Sequence, residues 1–444
     1  MELLEKCFKL KQNNTTVKTE LMAGLTTFMT MAYILIVNPN VLGATGMDSG
    51  AILTATAVAA AIGTFCMAFF SNYPFALAPG MGLNAYFAYT VVGQYGYDWK
   101  VALGAVFVEG IIFILLSLIN VREMIFNAIP KNMKAATSVG IGLFIAFIGM
   151  QNAGIIVDSA TLVALGNVKS VPVALALIGT IITMTFVIKK IKGALLWGIL
   201  ATYILGILCQ LTGLYVVNPE VGAYSLIPSG IISAPPSLEP IAMKMDFSFF
   251  FSFDFAVIVF AFLFVDLFDT LGTLIGVSSK AGFLDKEGKL PRIKGALFAD
   301  AVGTTAGAML GTSTVTTFVE SASGVADGGR TGLTSFTAGI LFLVALIFTP
   351  IISVIPSFAT APALIVVGLF MIENVTNIEF ADYTEGFPAF ITILMMVVAY
   401  SISEGLVFGT ISYVLLKLFT RRAKELNPVI IIIAILFFLK LILG

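Results

Sequence analysis

The chain has 444 residues, of which 59% are hydrophobic and only 11% are charged, with a net charge of −1. Soluble domains carry about 25% charged residues, so this composition excludes an ordinary soluble domain and predicts an all-α polytopic membrane protein. The absence of histidine excludes a histidine-rich metal site and leaves aspartate and glutamate for proton chemistry. The three cysteines form no motif, and no cofactor, metal or nucleic-acid partner is expected.

Apolar blocks that reach or approach the roughly 20 residues needed to cross a bilayer recur along the chain. The predicted spans of the first half are residues 21–42, 49–70, 75–92, 101–120, 135–150, 171–188 and 194–214. After a proline-rich loop, those of the second half are residues 249–277, 295–310, 312–326, 332–354, 361–372, 387–402 and 405–420. The chain therefore predicts about fourteen transmembrane segments. The last apolar block, 429–443, is short for a span and could lie along the membrane interface.

The distribution of lysine and arginine predicts that the N-terminus is cytoplasmic. With residues 1–20 inside, the loops VREMIFNAIPKNMK, KKIKG and SKAGFLDKEGKLPRIK and the tail RRAK fall on the same side. The connection at 373–385 also falls inside but contains no lysine or arginine, so it is a weak exception. The N-terminus has no apolar core of a signal peptide. A multi-pass protein of the plasma or inner membrane, surrounded by lipid, is expected.

Two predicted segments are unlike ordinary spanning helices. FALAPGMGLNAYFAYTVV is interrupted by Pro79, Gly80 and Gly82, and TSTVTTFVESASGVA is short and polar. They are the third and tenth blocks, at matching places in two halves of seven. Such paired broken segments are typical of a transporter site at a repeat interface, and seven spans per half predict that the second half is inverted. The alternative is that these glycines and the proline only serve helix packing and kinks.

Three carboxylates in apolar surroundings are the main functional candidates: Asp266 and Asp269 in FLFVDLFDTLGTLIGV, and Glu320. A carboxylate at the centre of a spanning helix costs about 2.5–3.5 kcal/mol, so these groups should face a cavity, a partner or a ligand. Two acids three residues apart share one helix face and suit a proton-coupled cycle or a sodium site. Alternatively, the pair bonds to Thr270 or Thr273 and holds helices together.

The broken segments favour a small, flat, polar heterocycle as ligand. Glu320 can accept two N–H groups from a ring edge, and Asn84 can both donate and accept. Phe318 would share a face with Glu320 and could stack on the ring if the backbone is extended there. The alternative for Phe318 is ordinary packing.

The motifs GLTTFMTMAYILIVNPN, ALAPGMGLNAYFAYT, FVDLFDTLGTLIGV and GTSTVTTFVESASGVADGGRTGLT resemble those of the azaguanine-resistance-type purine permeases. These permeases belong to the nucleobase–cation symporter-2 (nucleobase–ascorbate) superfamily, and the resemblance covers essentially the whole chain. It implies the fold of the uracil permease, with two inverted repeats that each contribute to a core and a gate domain. The implied boundaries are a cytoplasmic N-terminus at 1–20, core at 21–120 and 249–354, gate at 121–214 and 355–420, an extracytoplasmic loop at 215–248 and a tail at 421–444.

The resemblance also implies proton-coupled import of adenine, guanine or hypoxanthine by alternating access, and no enzymatic activity. It places Asp266 and Glu320 as substrate-binding acids, with Asp269 as a further proton-coupling candidate. Thr270 stands where other branches of the superfamily carry a functional polar residue. The remaining implied site residues bind substrate or support the site: Gly82, Asn84, Phe318 and Thr30.

Three other interpretations remain. A uracil or xanthine transporter of the same superfamily would have the same fold. An anion transporter of the sulfate-permease class is disfavoured because the acids would repel its substrate, and a membrane enzyme because no nucleophile–base pair is evident. The preferred purine, the choice between proton and sodium, and a homodimeric state are left open.

Overall fold

The computed structural model describes residues 2–118, 130–160, 162–218, 223–285 and 290–443. The described chain is helical apart from four short strands and an isolated bridge, which confirms the predicted all-α membrane class. Ten described helices are long and apolar enough to cross a membrane. Parts of two predicted basic loops, 119–129 and 286–289, lie outside the described residues.

The first half contains α1 (Glu2–Phe8), α2 (Val17–Met31), α3 (Ile34–Gly43), α4 (Ser49–Phe70), β1 (Leu77–Pro79), α5 (Met81–Ala85), a π-helical segment (Tyr86–Gln94), α6 (Trp99–Leu118), α7 (Lys131–Asn152), β2 (Ile156–Ser159), β3 (Leu162–Leu165), α8 (Val171–Ile188) and α9 (Ala194–Leu211). The second half contains α10 (Phe253–Ala281), α11 (Ile293–Leu310), β4 (Val315–Thr317), α12 (Ser321–Ala326), α13 (Gly332–Ala345), α14 (Thr349–Ile352), α15 (Ser357–Ile372), α16 (Tyr383–Val398), α17 (Ile402–Phe419) and α18 (Pro428–Leu443).

Each predicted block coincides with one or more of these elements, but not every block is a long apolar helix. The third and tenth blocks are the broken segments β1–α5 and β4–α12, each a strand followed by a short helix. The ninth block is α11, which is not among the ten spans, and the thirteenth is α16, which has only 16 residues. The total of fourteen segments therefore stays a prediction.

The helices pack as two bundles. The first bundle contains α2–α6 and α10–α13, with α11 against α4 and α6, and α13 against α2 and α4. The second bundle contains α7–α9 and α15–α17, with α7 against α15 and α16, and α8 against α9 and α15. The terminal α18 packs on α17, and the ring of its Phe437 lies 5.4 Å from that of Phe260 in α10.

Glycines let the broken segments enter the first bundle. A Cβ atom on Gly303 of α11 would lie 3.0 Å from Val315 Cγ1 and 3.1 Å from the Cα atom of Gly63 in α4. The two helices can therefore approach each other and β4 at one point. α11 ends at Leu310, and its C-cap, Gly311, has a φ of 98° in the left-handed region that glycine adopts readily, so the chain turns toward β4.

Candidate functional site

The two broken segments meet as an antiparallel pair of strands inside the first bundle. β1 and β4 pair Leu77 with Thr317, Ala78 with Thr316 and Pro79 with Val315, and all of these residues are buried. The Phe318 N–H donates to the Ala76 carbonyl at 3.0 Å and extends the pairing. The two halves of the sequence therefore build one site together.

Two threonines satisfy the outer edges of this small sheet. The Thr64 hydroxyl of α4 bonds both the carbonyl and the N–H of Leu77, at 3.1 and 2.9 Å. The Thr304 hydroxyl of α11 bonds the carbonyl and the N–H of Val315 in the same way, at 3.0 and 3.2 Å. Strand edges inside a membrane protein need such partners because no bulk water is available. Threonines are common in this chain, and the sequence pattern did not single these two out.

A cavity of about 780 Å³ lies between the two bundles, within the usual size range of small-molecule sites. Its lining comes from the first bundle on one side and from α7 and α15 of the second bundle on the other. Four of the predicted site residues line it: Gly82, Asp269, Phe318 and Glu320. One residue that sequence reasoning did not select, Tyr33, lines it as well.

Glu320 is the N-cap residue of α12, and with Val319 it forms the turn between the extended stretch that ends in Phe318 and this helix. The Tyr33 hydroxyl donates to Glu320 Oε1 at 2.8 Å, and the rings of Tyr33 and Phe318 lie 6.5 Å apart at 48°. Thr30 also reaches this point, since its hydroxyl lies 3.4 Å from the Glu320 carbonyl, although it bonds the Thr27 carbonyl more closely at 2.8 Å. A carboxylate beside two aromatic rings can bind a flat molecule that carries N–H groups.

Asp269 is the second carboxylate at the cavity. It accepts a hydrogen bond of 3.2 Å from the Thr316 hydroxyl of β4, which fixes it against the strand pair. A Cβ atom at Gly80 would lie 2.9 Å from Thr316 Oγ1 and 3.2 Å from Asp269 Oδ2. Gly80 therefore makes the space in which this carboxylate rests.

Gly82 lies where the two bundles touch. A Cβ atom there would be 2.8 Å from the side chain of Ile141 in α7 of the second bundle. The absence of a side chain lets the bundles approach closely beside the cavity.

Asp266 and Asn84 do not line the cavity, and neither do Thr270 and Thr30. Asp266 is fully buried, and the Thr270 hydroxyl stands between it and Asp300, at 3.0 Å and 2.6 Å from their Oδ1 atoms. Asn84 is also buried, and its side-chain oxygen accepts a hydrogen bond from the Ser313 hydroxyl. Asn84 thus joins the first broken segment to the residues that lead into the second. The structure brings Asp269, rather than Asp266, to the cavity with Glu320.

The cavity reaches one surface of the protein at the start of α7. Lys131, Glu373 and Asn377 line this end, and all three are exposed. Asn374, in the short 3-10 helix Glu373–Asn377 that follows α15, donates to the Ser138 hydroxyl of α7 at 3.0 Å and joins the two walls. A molecule could enter here and reach Glu320 between the bundles. Among the described residues no group of three acidic or cysteine side chains is arranged to hold a metal ion.

The comparison with protein families decides what kind of protein has this site. The protein-family model described as "Permease family" (Xan_ur_permease) matches residues 18–408 of the chain. The chain belongs to this family. This permease is therefore a multi-pass membrane transporter and not an enzyme.

Relatives of this permease match it over their whole length. It is 50% identical over 443 residues to the Putative permease MJ0326 of Methanocaldococcus jannaschii, covering 100% of this chain and 99% of that protein. It is 42% identical to the Adenine permease AdeP of Escherichia coli, with 99% of this chain and 96% of that protein covered. The Guanine/hypoxanthine permease PbuO of Bacillus subtilis is also 42% identical, with 98% and 99% covered.

Solved structures of two transporters share the fold of this permease. The transmembrane domain of a cyanobacterium bicarbonate transporter, BicA, matches with a TM-score of 0.62 at 15% identity, covering 88% of this chain and 96% of that chain. SLC26A9 matches with a TM-score of 0.66 at 11% identity, covering 94% and 69%. The TM-scores support a common arrangement of helices, and at identities this low they say nothing about substrate.

Proposed function

We propose that this permease imports purine nucleobases (adenine, guanine or hypoxanthine) by proton symport. The observation that carries the proposal is the cavity between the bundles, where Glu320 and Asp269 lie beside the rings of Tyr33 and Phe318. The names of the adenine and guanine/hypoxanthine permeases, each 42% identical, support the substrate class. The two acids argue against an anion at this position, although the fold is shared with bicarbonate and anion transporters.

In this proposal Glu320 accepts N–H groups from the edge of the purine ring. Phe318 supplies a flat apolar surface for the ring, and Asp269 faces the bound molecule from α10. Asn84 and Gly82 act indirectly, Asn84 by joining the broken segments and Gly82 by letting the bundles approach. Asp266 acts behind the site through Thr270 and Asp300 and does not touch the base.

Proton coupling is proposed because Glu320 and Asp269 each have a hydroxyl partner and the chain contains no histidine. Asp269, Glu320 and Asp266 are the groups that would carry the proton. The first bundle is proposed as the core domain and the second as the gate domain. Movement of one against the other would expose the cavity to each side in turn. The surface at Lys131 is proposed to be cytoplasmic, as the basic loops predict.

Uptake of radiolabelled adenine, guanine and hypoxanthine into cells that lack purine permeases tests the proposal. We expect saturable uptake of at least one base, abolished by a protonophore and indifferent to removal of sodium. Uracil and xanthine, added unlabelled in excess, should compete poorly. Surface expression without uptake of any of the three purines would refute the substrate class, whereas sodium dependence would refute only the proton.

A further inference from the structure

We propose that Tyr33 is the positioning residue of the binding site and holds the carboxyl group of Glu320 in the orientation that receives the substrate. This inference rests on the proposed function and adds a residue to it. Tyr33 lies at the interruption between α2 and α3, where it lines the cavity although it is only 1% exposed. Its hydroxyl donates to Glu320 Oε1 at 2.8 Å.

This hydrogen bond commits one of the two carboxylate oxygens of Glu320. The phenolic hydroxyl has a single hydrogen and donates it to Oε1. With Oε1 held in this way, the carboxyl group has a defined orientation, and Oε2 points in a defined direction. A glutamate side chain turns about three torsions, and ordering a flexible side chain during binding reduces affinity. Tyr33 orders Glu320 before the substrate arrives.

Tyr33 is itself held firmly enough to act in this way. Its ring is buried and packs at 6.5 Å from the ring of Phe318. Its carbonyl accepts hydrogen bonds from the N–H groups of Ile36 and Val37, both at 3.0 Å, so the backbone is ordered at the interruption. Tyr33, Phe318 and Glu320 therefore form one rigid wall of the cavity, built from two distant parts of the chain.

The substitution Tyr33→Phe tests this role because it removes the hydroxyl and keeps the ring. We expect the KM for the transported purine to rise about two- to tenfold, the cost of ordering one flexible side chain during binding, with kcat within about twofold of wild type. The melting temperature of the purified protein should change little, because Glu320 lines the cavity, where water can replace the lost hydroxyl. Tyr203→Phe is the matched control, since the Tyr203 hydroxyl donates to the Leu226 carbonyl at 2.6 Å, away from the cavity. That control should keep the wild-type KM.

A double variant separates positioning of Glu320 from a direct contact with substrate. Glu320→Asp shortens the side chain, so adding Tyr33→Phe to it should raise KM no further. Additive losses, or an unchanged KM in Tyr33→Phe alone, would overturn the proposal. If wild type transports no purine the proposed function fails first, whereas normal wild-type uptake with an unchanged KM in Tyr33→Phe rejects this inference alone. If Tyr33→Phe fails to reach the membrane, Tyr33 is structural and the proposal is rejected.

Discussion

Two groups of acids in this permease differ in their partners. At the cavity and behind it, Glu320, Asp269 and Asp266 receive hydrogen bonds from the hydroxyls of Tyr33, Thr316 and Thr270. On the surface near the end of the cavity, acids pair with cations instead. These acids and their partners form an ion-pair cluster that consists of Asp382, Glu385, Glu425, Lys417 and Arg422.

The kind of partner, hydroxyl or cation, determines whether an acid can change its protonation state and keep its contact. A hydroxyl can donate to an ionised acid or accept from a protonated one, so its partner can change protonation without losing the contact. A guanidinium or ammonium group only donates, and it favours the ionised acid. Arg422 lies 2.6 Å from Asp382, and Lys417 lies 2.8 Å from Glu385. We therefore expect protons to be exchanged in the first group and the second to remain charged.

The largest effect is expected from Glu320→Gln. Glutamine has one acceptor oxygen where glutamate has two and carries no negative charge, so uptake should fall by about 10–150-fold, as for loss of a hydrogen bond to a charged group. Purine uptake and surface expression measure the result. Glu239→Gln, in an exposed loop, is the matched control and should transport normally. Near-normal uptake by Glu320→Gln would contradict the role of Glu320.

A smaller effect is expected from Thr270→Val, which removes the hydroxyl between Asp266 and Asp300. Two buried carboxyl groups then lose a partner, which should destabilise the protein by about 1–3 kcal/mol and alter the pH dependence of uptake. Thr185→Val is the control, because Thr185 is exposed and its hydroxyl bonds the Ile181 carbonyl of its own helix. A pH profile identical to wild type would show that this buried group takes no part in coupling.

The ion-pair cluster should affect stability and not the pH dependence of transport. Hydrogen bonds from Arg422 lower the pKa of Asp382 from 3.8 to about 2 and that of Glu425 from 4.5 to about 2. These acids have lowered pKa values, so their stabilising contribution is complete above about pH 5 and is lost as the pH falls toward 2. Arg422→Gln should lower the melting temperature at pH 7 and leave the shape of the uptake profile between about pH 5 and 8 unchanged. A shifted profile would remove the distinction between the two groups of acids.

The smallest effect on transport is expected from Lys192→Met, which removes a surface ion pair between the two bundles. Lys192, between α8 and α9, pairs with Asp327 at the end of α12, which also accepts from Thr26 at 2.6 Å. Burial alone would raise the pKa of Asp327, but the bonds from Lys192 and Thr26 lower it. Lys192→Met should change the rate of transport by less than about fivefold, because exposed pairs contribute about 0–1 kcal/mol. A change in KM for the purine would contradict a role confined to the contact between bundles.

Sequence reasoning located the broken segments and the acids, because proline, glycine and charge are conspicuous in apolar surroundings. It could not decide which acid faces the cavity. Asp266 and Asp269 share a helix face, but they are separated by about 60° of rotation, and that angle places only Asp269 at the cavity. Tyr33 was missed because nothing local distinguishes it among 12 tyrosines. Its role depends on Glu320, which is 287 residues away in the chain.

The pairing of β1 with β4 has a consequence for how the protein is made. Leu77 is synthesised long before Thr317, its partner in the strand pair. The first half must therefore enter the membrane with one strand edge unpaired, and the site cannot form until the second half is inserted. A chain cut in the loop at 223–246 and produced as two pieces should recover transport only when both pieces are present in the same membrane.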